Sequence, residues 1–387
     1  MNKSGWAMLV ICLCFGGYLA LPSNYYLRQA LIHLYPKIDQ YPIFENRVIK
    51  AENPQPWKLS DAYNKMHIDS AYLNDFDAHG TVAFVVIQDT AVVFEQYWED
   101  YTQQTLSNSF SMAKSIVSLA VGCAIDDGFI QSPEQPVSDF FPEFNTFEGK
   151  KLTIRNLLSM SAGVDFDESY VSPFSTTTKL YYGDDLKEVI FGMKQIEKPG
   201  VFFNYQSGVT QLLAFIVEKA TGEKLSSYVS RKLWTPIHAE EDALWSLDHK
   251  DGIEKAYCCF NSNARDFARF GQLILNKGSW EGKQIISDLY LKAATTPDTL
   301  LTDRMYNEPN KHYGYQFWKL EYKGLDVIYM RGMLGQYVLA IPEKRAVVVR
   351  LGHKRGENRT SQHYPDDIDD WLGAALDILN QKENITH

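Results

Sequence analysis

The sequence predicts an α+β fold in which strands from both ends of the chain form one antiparallel sheet and a mainly helical lobe is inserted between them. Two β-rich runs lie near residue 80, helical periodicity dominates from 112 to about 300, and three strand-like segments follow residue 325. Pairing the terminal strands with each other leaves the middle of the chain as a second lobe. We therefore expect a site in the cleft between the two lobes.

The chain starts with an apolar segment that is typical of a secretory signal or a signal anchor. Met1 to Ser4 carries one lysine, and an uninterrupted apolar run follows from Trp6 to Leu21. Because no small-x-small cleavage site follows, an uncleaved anchor is favoured over a cleaved signal, and a buried helix of the globular part is the remaining alternative. We assign residues 1–27 to this segment. The rest should lie outside the cytoplasm, secreted or anchored, in the periplasm if the cell is bacterial.

Residues 28–77 mix proline, tyrosine and charged residues without a clear period, and we interpret them as an N-terminal connector. The main domain is then expected over residues 78–387. It should begin with a hairpin, because Thr81–Ile87 and Ala91–Trp98 are β-rich and only a short polar turn separates them.

At the other end of the domain, the strand-like segments are Leu325–Tyr329, Gln336–Ile341 and Arg345–Leu351. They should complete the sheet that the hairpin begins. Residues Ile368–Leu379 have helical periodicity and should form a closing helix that packs on it.

The charge and the cysteine content of the chain indicate which partners and cofactors it is expected to bind. The formal net charge is −10 and no lysine or arginine run occurs, which argues against nucleic acid as the main partner. The cysteines show no metal or redox spacing, so we expect neither metal nor cofactor. Cys123, Cys258 and Cys259 are interpreted as small apolar packing residues, since adjacent cysteines are poorly placed to bridge each other; a bridge from Cys123 to one of the pair stays open.

The most informative stretch is a helix that is apolar all round and opens with Ser111-Met112-Ala113-Lys114. Such a helix is normally buried, and Gly128 should end it. Ser111 and Lys114 lie three positions apart on one helical face. This is the only Ser-x-x-Lys in the chain, and it places a lysine where burial is costly.

The pair suits nucleophilic catalysis. A serine hydroxyl is a weak nucleophile until a neighbouring base takes its proton, and a lysine amine becomes such a base when it is desolvated. A serine at a helix start also lies near free backbone N–H groups that can stabilise an oxyanion. We therefore interpret Ser111 as a nucleophile and Lys114 as its base.

Together with Tyr205-Gln206-Ser207, these residues resemble the motifs of the serine β-lactamase and penicillin-binding-protein superfamily, in particular class C β-lactamases, related esterases and 6-aminohexanoate-oligomer hydrolases. The resemblance covers about residues 78–380 and implies a β-lactamase-like fold. Supporting blocks are Leu152–Gly163, Asp266–Gly271 and Tyr313-Gly314-Tyr315.

The resemblance implies a role for each matched residue. Ser111 would attack a carbonyl carbon while Lys114 and the Tyr205 phenol share its proton, and the backbone N–H groups of Ser111 and Gln336 would form the oxyanion hole. Ser207 would orient Lys114 or the substrate. The expected substrate-binding residues are Ser207, Gly335, Tyr170, Tyr315 and Tyr337.

The third motif departs from the family pattern. Met333-Leu334-Gly335-Gln336 stands where the family usually has a lysine or histidine that helps to hold a substrate carboxylate. Losing that cation removes a charged hydrogen bond of about 1.5–3 kcal/mol, and Arg331 is displaced by one step along the same strand face. The departure argues against β-lactam and D-alanyl-D-alanine substrates.

The sequence thus favours a serine hydrolase that forms an acyl-enzyme with a small ester, amide or peptide-like substrate. The first alternative is a β-lactamase or DD-peptidase. The second is a non-catalytic envelope binding or sensor protein of the same fold. A membrane would be a partner only through an uncleaved N-terminal segment.

Overall fold

A seven-stranded sheet built from both ends of the chain forms one lobe of the computed structural model, which describes residues 3–147 and 149–386. The strands are β1 Asn46–Ile49, β2 Lys58–Leu59, β3 Thr81–Gln88, β4 Ala91–Tyr97, β5 Ser107–Asn108, β6 Thr146–Phe147, β7 Lys150–Lys151, β8 Phe202–Phe203, β9 Ala243–Ser246, β10 Phe260–Ser262, β11 Ser279–Trp280, β12 Lys283–Gln284, β13 Thr302–Asp303, β14 Glu308–Pro309, β15 Trp318–Tyr322, β16 Leu325–Gly332, β17 Gln336–Ile341 and β18 Ala346–Gly352.

Most helices lie between the two groups of sheet strands in the sequence and form the second lobe. They are α1 Lys3–Ala20, α2 Tyr25–His33, α3 Ser70–Ala78, α4 Met112–Asp126, α5 Ile154–Leu158, α6 Thr176–Tyr182, α7 Leu186–Phe191, α8 Ser207–Thr221, α9 Leu225–Val229, α10 Ala264–Leu275, α11 Asp288–Ala294 and α12 Asp367–Thr386. The predicted α+β class is confirmed, with a largely antiparallel sheet drawn from both ends of the chain and a mainly helical lobe between them.

The large sheet runs in the order β15, β16, β17, β18, β3, β4, β2, so the first and last parts of the domain meet at the β18–β3 pair. All its neighbours are antiparallel except β2 and β4. Helix α10 packs against Val347 of β18 and α12 packs against Arg350 on the opposite face of that strand. Because helices cover both faces, β3 is buried almost throughout.

The predicted hairpin and terminal strands are present. Asp89 and Thr90 between β3 and β4 both have positive φ, at 51° and 64°, which is the backbone of a tight hairpin turn. β16, β17 and β18 match the three late strand segments. Sequence analysis missed β15, the edge strand next to β16, and the two-residue strand β2.

Helix α4 is the central helix of the fold, and its predicted burial is confirmed. Every residue from Met112 to Ala124 is buried, and the chain leaves the helix at Asp127 and Gly128, whose φ is +78°. It packs on α8 of the helical lobe and on β16 of the sheet. Side chains at its start therefore lie at the junction of the two lobes.

The segment 28–77 differs from the connector expected of it, because it packs into the domain. β1 pairs with β9 of the four-stranded sheet, and β2 extends the edge of the large sheet beside β4. Ile38 and Trp57 are buried. The segment shows no hydrophobic period because it consists of short elements, each of which packs against a different part of the domain.

The cysteine interpretation needs one correction. Cys258 and Cys259 form a disulfide with each other. Cys259 has a φ of +67°, and this left-handed backbone lets the two adjacent side chains meet. Cys123 is a free, buried thiol, and burial raises its pKa to about 12, as fits a packing residue.

Among the described residues, one helix, α1, has the length and apolar composition to cross a membrane, and none of its residues is buried. The link to α2 is ordered by hydrogen bonds to the end of α1. Asn24 Nδ2 donates to the Tyr18 carbonyl at 2.8 Å, and Arg28 donates to the carbonyls of Leu19 and Leu21. Helix α2 then packs against α6.

A second lysine is buried beneath the helical lobe. Lys255 Nζ donates to the carbonyls of Leu180 and Gly183 at 3.3 and 3.1 Å, at the end of α6. Burial lowers the pKa of Lys255 to about 8, although Asp248 and Asp184 act in the opposite direction.

This shift predicts a pH dependence of stability. The unfolded chain keeps the Lys255 proton up to the ordinary value of 10.5, whereas the native protein releases it near pH 8. Between these values the unfolded state binds more protons, so stability should rise with pH, with a limiting slope of about 1.4 kcal/mol per pH unit. Thermal unfolding of detergent-solubilised protein from pH 7.5 to 10 should show this rise, and Lys255→Met should lack it. Lys250→Met, at an exposed lysine, is the control and should keep the rise. If stability in Lys255→Met rose with pH as it does in the wild type, the lowered pKa of Lys255 would not be its cause.

Candidate active site

Ser111 lies at a strained turn between β5 and α4. Phe110, immediately before it, has a φ of +43°, unusual for a bulky residue, and its N–H donates to Asn108 Oδ1 at 2.8 Å. The end of β16 closes over this turn, because a Cβ on Gly332 would lie 2.1 Å from the Ser109 carbonyl oxygen. Such strain is typical of functional positions. Here it presents Ser111 at the helix start, facing the junction of the lobes.

Lys114 is buried one turn further along α4, and its ammonium points back at the serine. Nζ lies 2.9 Å from Ser111 Oγ and 2.9 Å from the Tyr257 carbonyl oxygen. No carboxylate of the described chain lies within ion-pair distance of it. The hydrogen-bond partners of the amine are thus the two neutral oxygen atoms of Ser111 and Tyr257.

Tyr205 approaches from the helical lobe, between β8 and α8. Lys114 Nζ lies 5.0 Å from the centre of the Tyr205 ring and 5.6 Å from that of Tyr257. The Tyr205 ring packs on Tyr313 and Trp318, at 6.0 and 5.7 Å between ring centres. The structure therefore brings Ser111, Lys114 and Tyr205 together, although 94 positions separate the serine from the tyrosine.

The two expected oxyanion-hole residues are Ser111 itself and Gln336. The Ser111 amide precedes the first helical turn, where backbone N–H groups lack intrahelical partners. Gln336 opens β17 and pairs with Gly332, the residue packed on the serine turn. The buried Gln336 side chain donates to the carbonyls of Met333 and Gly352 at 3.1 and 2.7 Å, and so fixes the turn before its own amide.

A buried arginine supports the same turn from behind. Arg350 Nη1 donates to the carbonyls of Leu334, Gly335 and Lys354 at 3.2, 2.9 and 2.8 Å. Desolvation lowers its pKa to about 10. Gly335 has a φ of +82°, and a Cβ there would lie 2.4 Å from Arg350 Nη1. Gly335 is expected from the sequence to bind substrate. Its positive φ and its close approach to Arg350 also explain why this position needs a glycine.

A cleft of about 450 Å³ opens at Ser111. Its walls are mostly apolar, and none of the lining side chains in the described chain is charged. They are Ala30, Leu31, Leu34, Tyr35, Pro36, Phe110, Ser111, Tyr170, Val171, Ser172, Pro173, Thr177, Thr178, Tyr181, Tyr182, Ser207, Tyr257, Cys258 and Met333. A more polar cavity of about 420 Å³, which includes Asp165, Glu197 and Arg304, does not include Ser111. Of these two cavities, the apolar cleft is the one that reaches Ser111.

The five expected substrate-binding residues take different positions. Tyr170 and Ser207 line the cleft, and Gly335 lies in the turn before β17. Tyr315 and Tyr337 do not line it, and the expectation for them is corrected. Tyr337 is fully buried and donates to Asp367 of α12, and Tyr315 is buried against Tyr290. Strand alternation turns Tyr337 toward α12 and away from the serine.

Ser207 also has a different partner from the one expected. Its Oγ and its backbone N–H both donate to Glu168, each at 2.6 Å, and the Tyr170 hydroxyl donates to the same carboxylate. Glu168 therefore ties the loop of residues 165–175 to the start of α8, where a negative charge is favoured. Ser207 orients this loop and does not contact Lys114.

The third motif leaves its end of the cleft neutral. Met333 lines the cleft, and the Tyr35 hydroxyl lies 3.5 Å from its sulfur. Arg331 does not replace the missing cation, because its guanidinium stacks on Trp318, 3.7 Å from the ring centre. Within residues 3–147 and 149–386, no cluster of three or more histidine, cysteine or acidic side chains could hold a metal ion.

Sequence analysis missed Tyr257, Glu168, Arg350 and the cleft wall at residues 30–36. Tyr257 supplies the carbonyl that holds Lys114, and its own hydroxyl has no partner among the described residues. Burial raises the pKa of that phenol well above its ordinary value, so it is a neutral hydrogen-bond donor. No local motif marks these residues, since each acts through a contact with a distant segment.

The chain is similar to known proteins of one family. Residues 71–370 match the Beta-lactamase family. A 6-aminohexanoate-dimer hydrolase of Paenarthrobacter ureafaciens is 28% identical over 317 residues, 77% of each chain. Among solved structures, a Bacillus anthracis protein provisionally named a 6-aminohexanoate-dimer hydrolase superposes with a TM-score of 0.75 at 22% identity, covering 90% of this chain and 94% of that one. A family VIII carboxylesterase gives 0.64 at 18% identity, covering 86% and 100%.

The contacts of Arg350 predict a large loss of stability in Arg350→Met. The substitution leaves three buried carbonyl oxygen atoms without donors and should cost about 3 kcal/mol. Arg345→Met, five positions earlier on the exposed end of the same hairpin, is the matched control and should change stability little. Thermal unfolding compares the two variants. Equal effects would show that the turn at Gly335 does not depend on Arg350.

Proposed function

The chain belongs to the beta-lactamase family, and from that membership we propose that it is a serine hydrolase that cleaves an uncharged ester or amide through an acyl-enzyme. The observation that carries the proposal is the 2.9 Å contact between the buried Lys114 Nζ and Ser111 Oγ, with no carboxylate of the described chain to hold the lysine's proton. The related 6-aminohexanoate-dimer hydrolase and carboxylesterase support the reaction class.

In the acylation step, Ser111 Oγ attacks the substrate carbonyl carbon and its proton passes to Lys114. The negative charge on the carbonyl oxygen is stabilised by the Ser111 and Gln336 amides, a contribution typically of about 3–4 kcal/mol. The proton then reaches the leaving group by way of the Tyr205 phenol, which lies beside the ammonium. The C–O or C–N bond breaks, and the acyl group remains on Ser111.

Deacylation uses the same groups in reverse. A water molecule enters where the leaving group was, and Lys114 and Tyr205 take its proton as it attacks the acyl carbon. The ester bond to Ser111 breaks, and the proton returns to Oγ. The Tyr257 carbonyl, 2.9 Å from Lys114 Nζ, keeps the amine oriented through both steps.

The neutral cleft disfavours the β-lactamase or DD-peptidase alternative. Substrates of those enzymes carry a carboxylate, and Met333 and its neighbours offer it no cation. A carboxylate moved into an apolar cleft without a partner loses hydration that nothing replaces. The non-catalytic alternative is disfavoured by the intact constellation of Ser111, Lys114 and Tyr205.

We further propose that α1 is retained as a membrane anchor and that the catalytic domain lies outside the cytoplasm. Asn24 and Arg28 donate to the carbonyls of Tyr18 and Leu19 in the last turn of α1, and these bonds tie the helix to the segment after it. Residues from Ala30 to Pro36, which begin ten positions after the helix, line the cleft.

Replacing the nucleophile should abolish turnover. For Ser111→Ala we expect hydrolysis of p-nitrophenyl acetate to fall at least about 10³-fold, and Tyr205→Phe to lower it about 10²-fold or more. Ser118→Ala, two turns further along α4, removes an equivalent hydroxyl and should retain activity.

A fluorophosphonate probe followed by peptide mass spectrometry should place the adduct on Ser111. Turnover retained by folded Ser111→Ala, or an adduct elsewhere, would overturn the proposal. Nitrocefin hydrolysis tests the β-lactamase alternative in the same samples, and the expected result is none.

A further inference from the structure

The N-terminal segment forms one wall of the cleft. Leu31, Leu34 and Tyr35 lie beside Ser111, Val171 and Met333 in the lining. The wall is fixed to the helical lobe, because the Tyr182 hydroxyl donates to the Leu34 carbonyl at 2.7 Å and α2 packs along α6. It is fixed to the sheet lobe by the contact between Tyr35 and Met333. The segment that follows the apolar helix is thus part of the substrate site.

This wall lies close to the end of α1. Helix α2 begins five residues after Ala20, and Leu31 is six residues into it. At about 3.4 Å per extended residue and 1.5 Å per helical residue, Leu31 lies at most about 26 Å from the end of α1. With α1 in a bilayer, the cleft mouth is held beside the membrane surface.

The mouth is rimmed by exposed apolar side chains from two segments. In the N-terminal segment, Leu31 and Leu34 are 48% and 71% exposed, and in the facing loop Val171 and Phe174 are 91% and 65% exposed. Exposed apolar residues clustered around a pocket mark a site of interaction with apolar partners. The rim is continuous with the cleft, since Leu31, Leu34 and Val171 also belong to its lining.

The cleft itself offers no charge and few hydrogen bonds. Several of its hydroxyl groups, those of Thr177, Thr178, Tyr182 and Ser207, already donate to other groups of the protein, and the N-terminal wall is apolar except for Tyr35. Such a lining favours a substrate with a reactive carbonyl at one end and a hydrocarbon chain along the rest, because each methylene removed from water favours binding severalfold.

We propose that the enzyme draws its substrate from the membrane, and that this substrate is an ester or amide of a long-chain acyl group. The inference rests on the proposed function. The acyl chain lies along Leu31, Leu34, Val171 and Met333, and the carbonyl carbon meets Ser111. The acyl group is transferred to Ser111 Oγ while the alcohol or amine leaves with a proton, and water then releases the fatty acid.

The first experiment measures acyl-chain preference with the full chain in phosphatidylcholine nanodiscs. The ratio of kcat/KM for p-nitrophenyl octanoate to that for p-nitrophenyl acetate should exceed about 10. In Leu31→Glu and Val171→Glu that ratio should fall at least tenfold, because a carboxylate then lies on the chain's path. Leu289→Glu, a charge at an 82% exposed leucine outside the cleft, should leave the ratio unchanged. A ratio near one in the wild type, or ratios unaffected in both cleft variants, would overturn the acyl-chain assignment.

The second experiment tests the membrane route. The full chain is reconstituted in phosphatidylcholine vesicles, and a fluorogenic umbelliferyl hexadecanoate is placed either in the same vesicles or in separate ones. Hydrolysis should be at least tenfold faster when enzyme and ester share a bilayer. Equal initial rates in the two arrangements would overturn the membrane route.

The two proposals fail in different ways. If Ser111 takes no fluorophosphonate adduct, the hydrolase itself is wrong. If Ser111 is labelled and hydrolyses acetate, but chain length and vesicle arrangement have no effect, only the membrane-derived substrate is wrong.

Discussion

The structure depends on one buried amine held between two oxygen atoms. Lys114 Nζ contacts the Ser111 hydroxyl and the Tyr257 carbonyl at 2.9 Å each, so the start of α4 and the segment at Tyr257 must meet at this point. The strained backbone at Phe110 and the missing Cβ of Gly332 bring the serine into place. The aromatic cluster of Tyr205, Tyr313 and Trp318 closes the other side. A buried lysine without a carboxylate is costly, and the rest of the domain supplies the packing that offsets it.

Support for this site is spread over both lobes. Arg350 and Gln336 lie in the sheet and fix the turn before β17, although neither side chain lines the cleft. In the helical lobe, the Glu168 carboxylate accepts hydrogen bonds from the first residue of α8 and so holds the loop of residues 165–175 against that helix. The geometry of the site therefore depends on how the two lobes pack against each other, and it cannot be predicted from local sequence alone.

Sequence reasoning succeeded where a periodic pattern or a tight motif carried the signal. The hairpin of β3 and β4, the apolar helix α4 and the late strands were predictable because burial imposes their periods, and the Ser111 and Lys114 pair because one helical turn fixes it. It failed where a residue acts through a distant contact. Tyr337 was assigned to the cleft, but its direction depends on strand register. The bond between Cys258 and Cys259 depends on a positive φ that adjacent cysteines do not reveal.

The wall contributed by residues 30–36 has a practical consequence for anyone who expresses this enzyme. Deleting everything up to Pro36 to gain solubility would remove Leu31, Leu34 and Tyr35 together with the apolar helix and leave one flank of the cavity open to solvent. A shortened protein of that kind would keep Ser111 and Lys114. The substrate preference measured on the shortened protein would be that of a cleft lacking one wall. It would therefore differ from the preference of the intact enzyme.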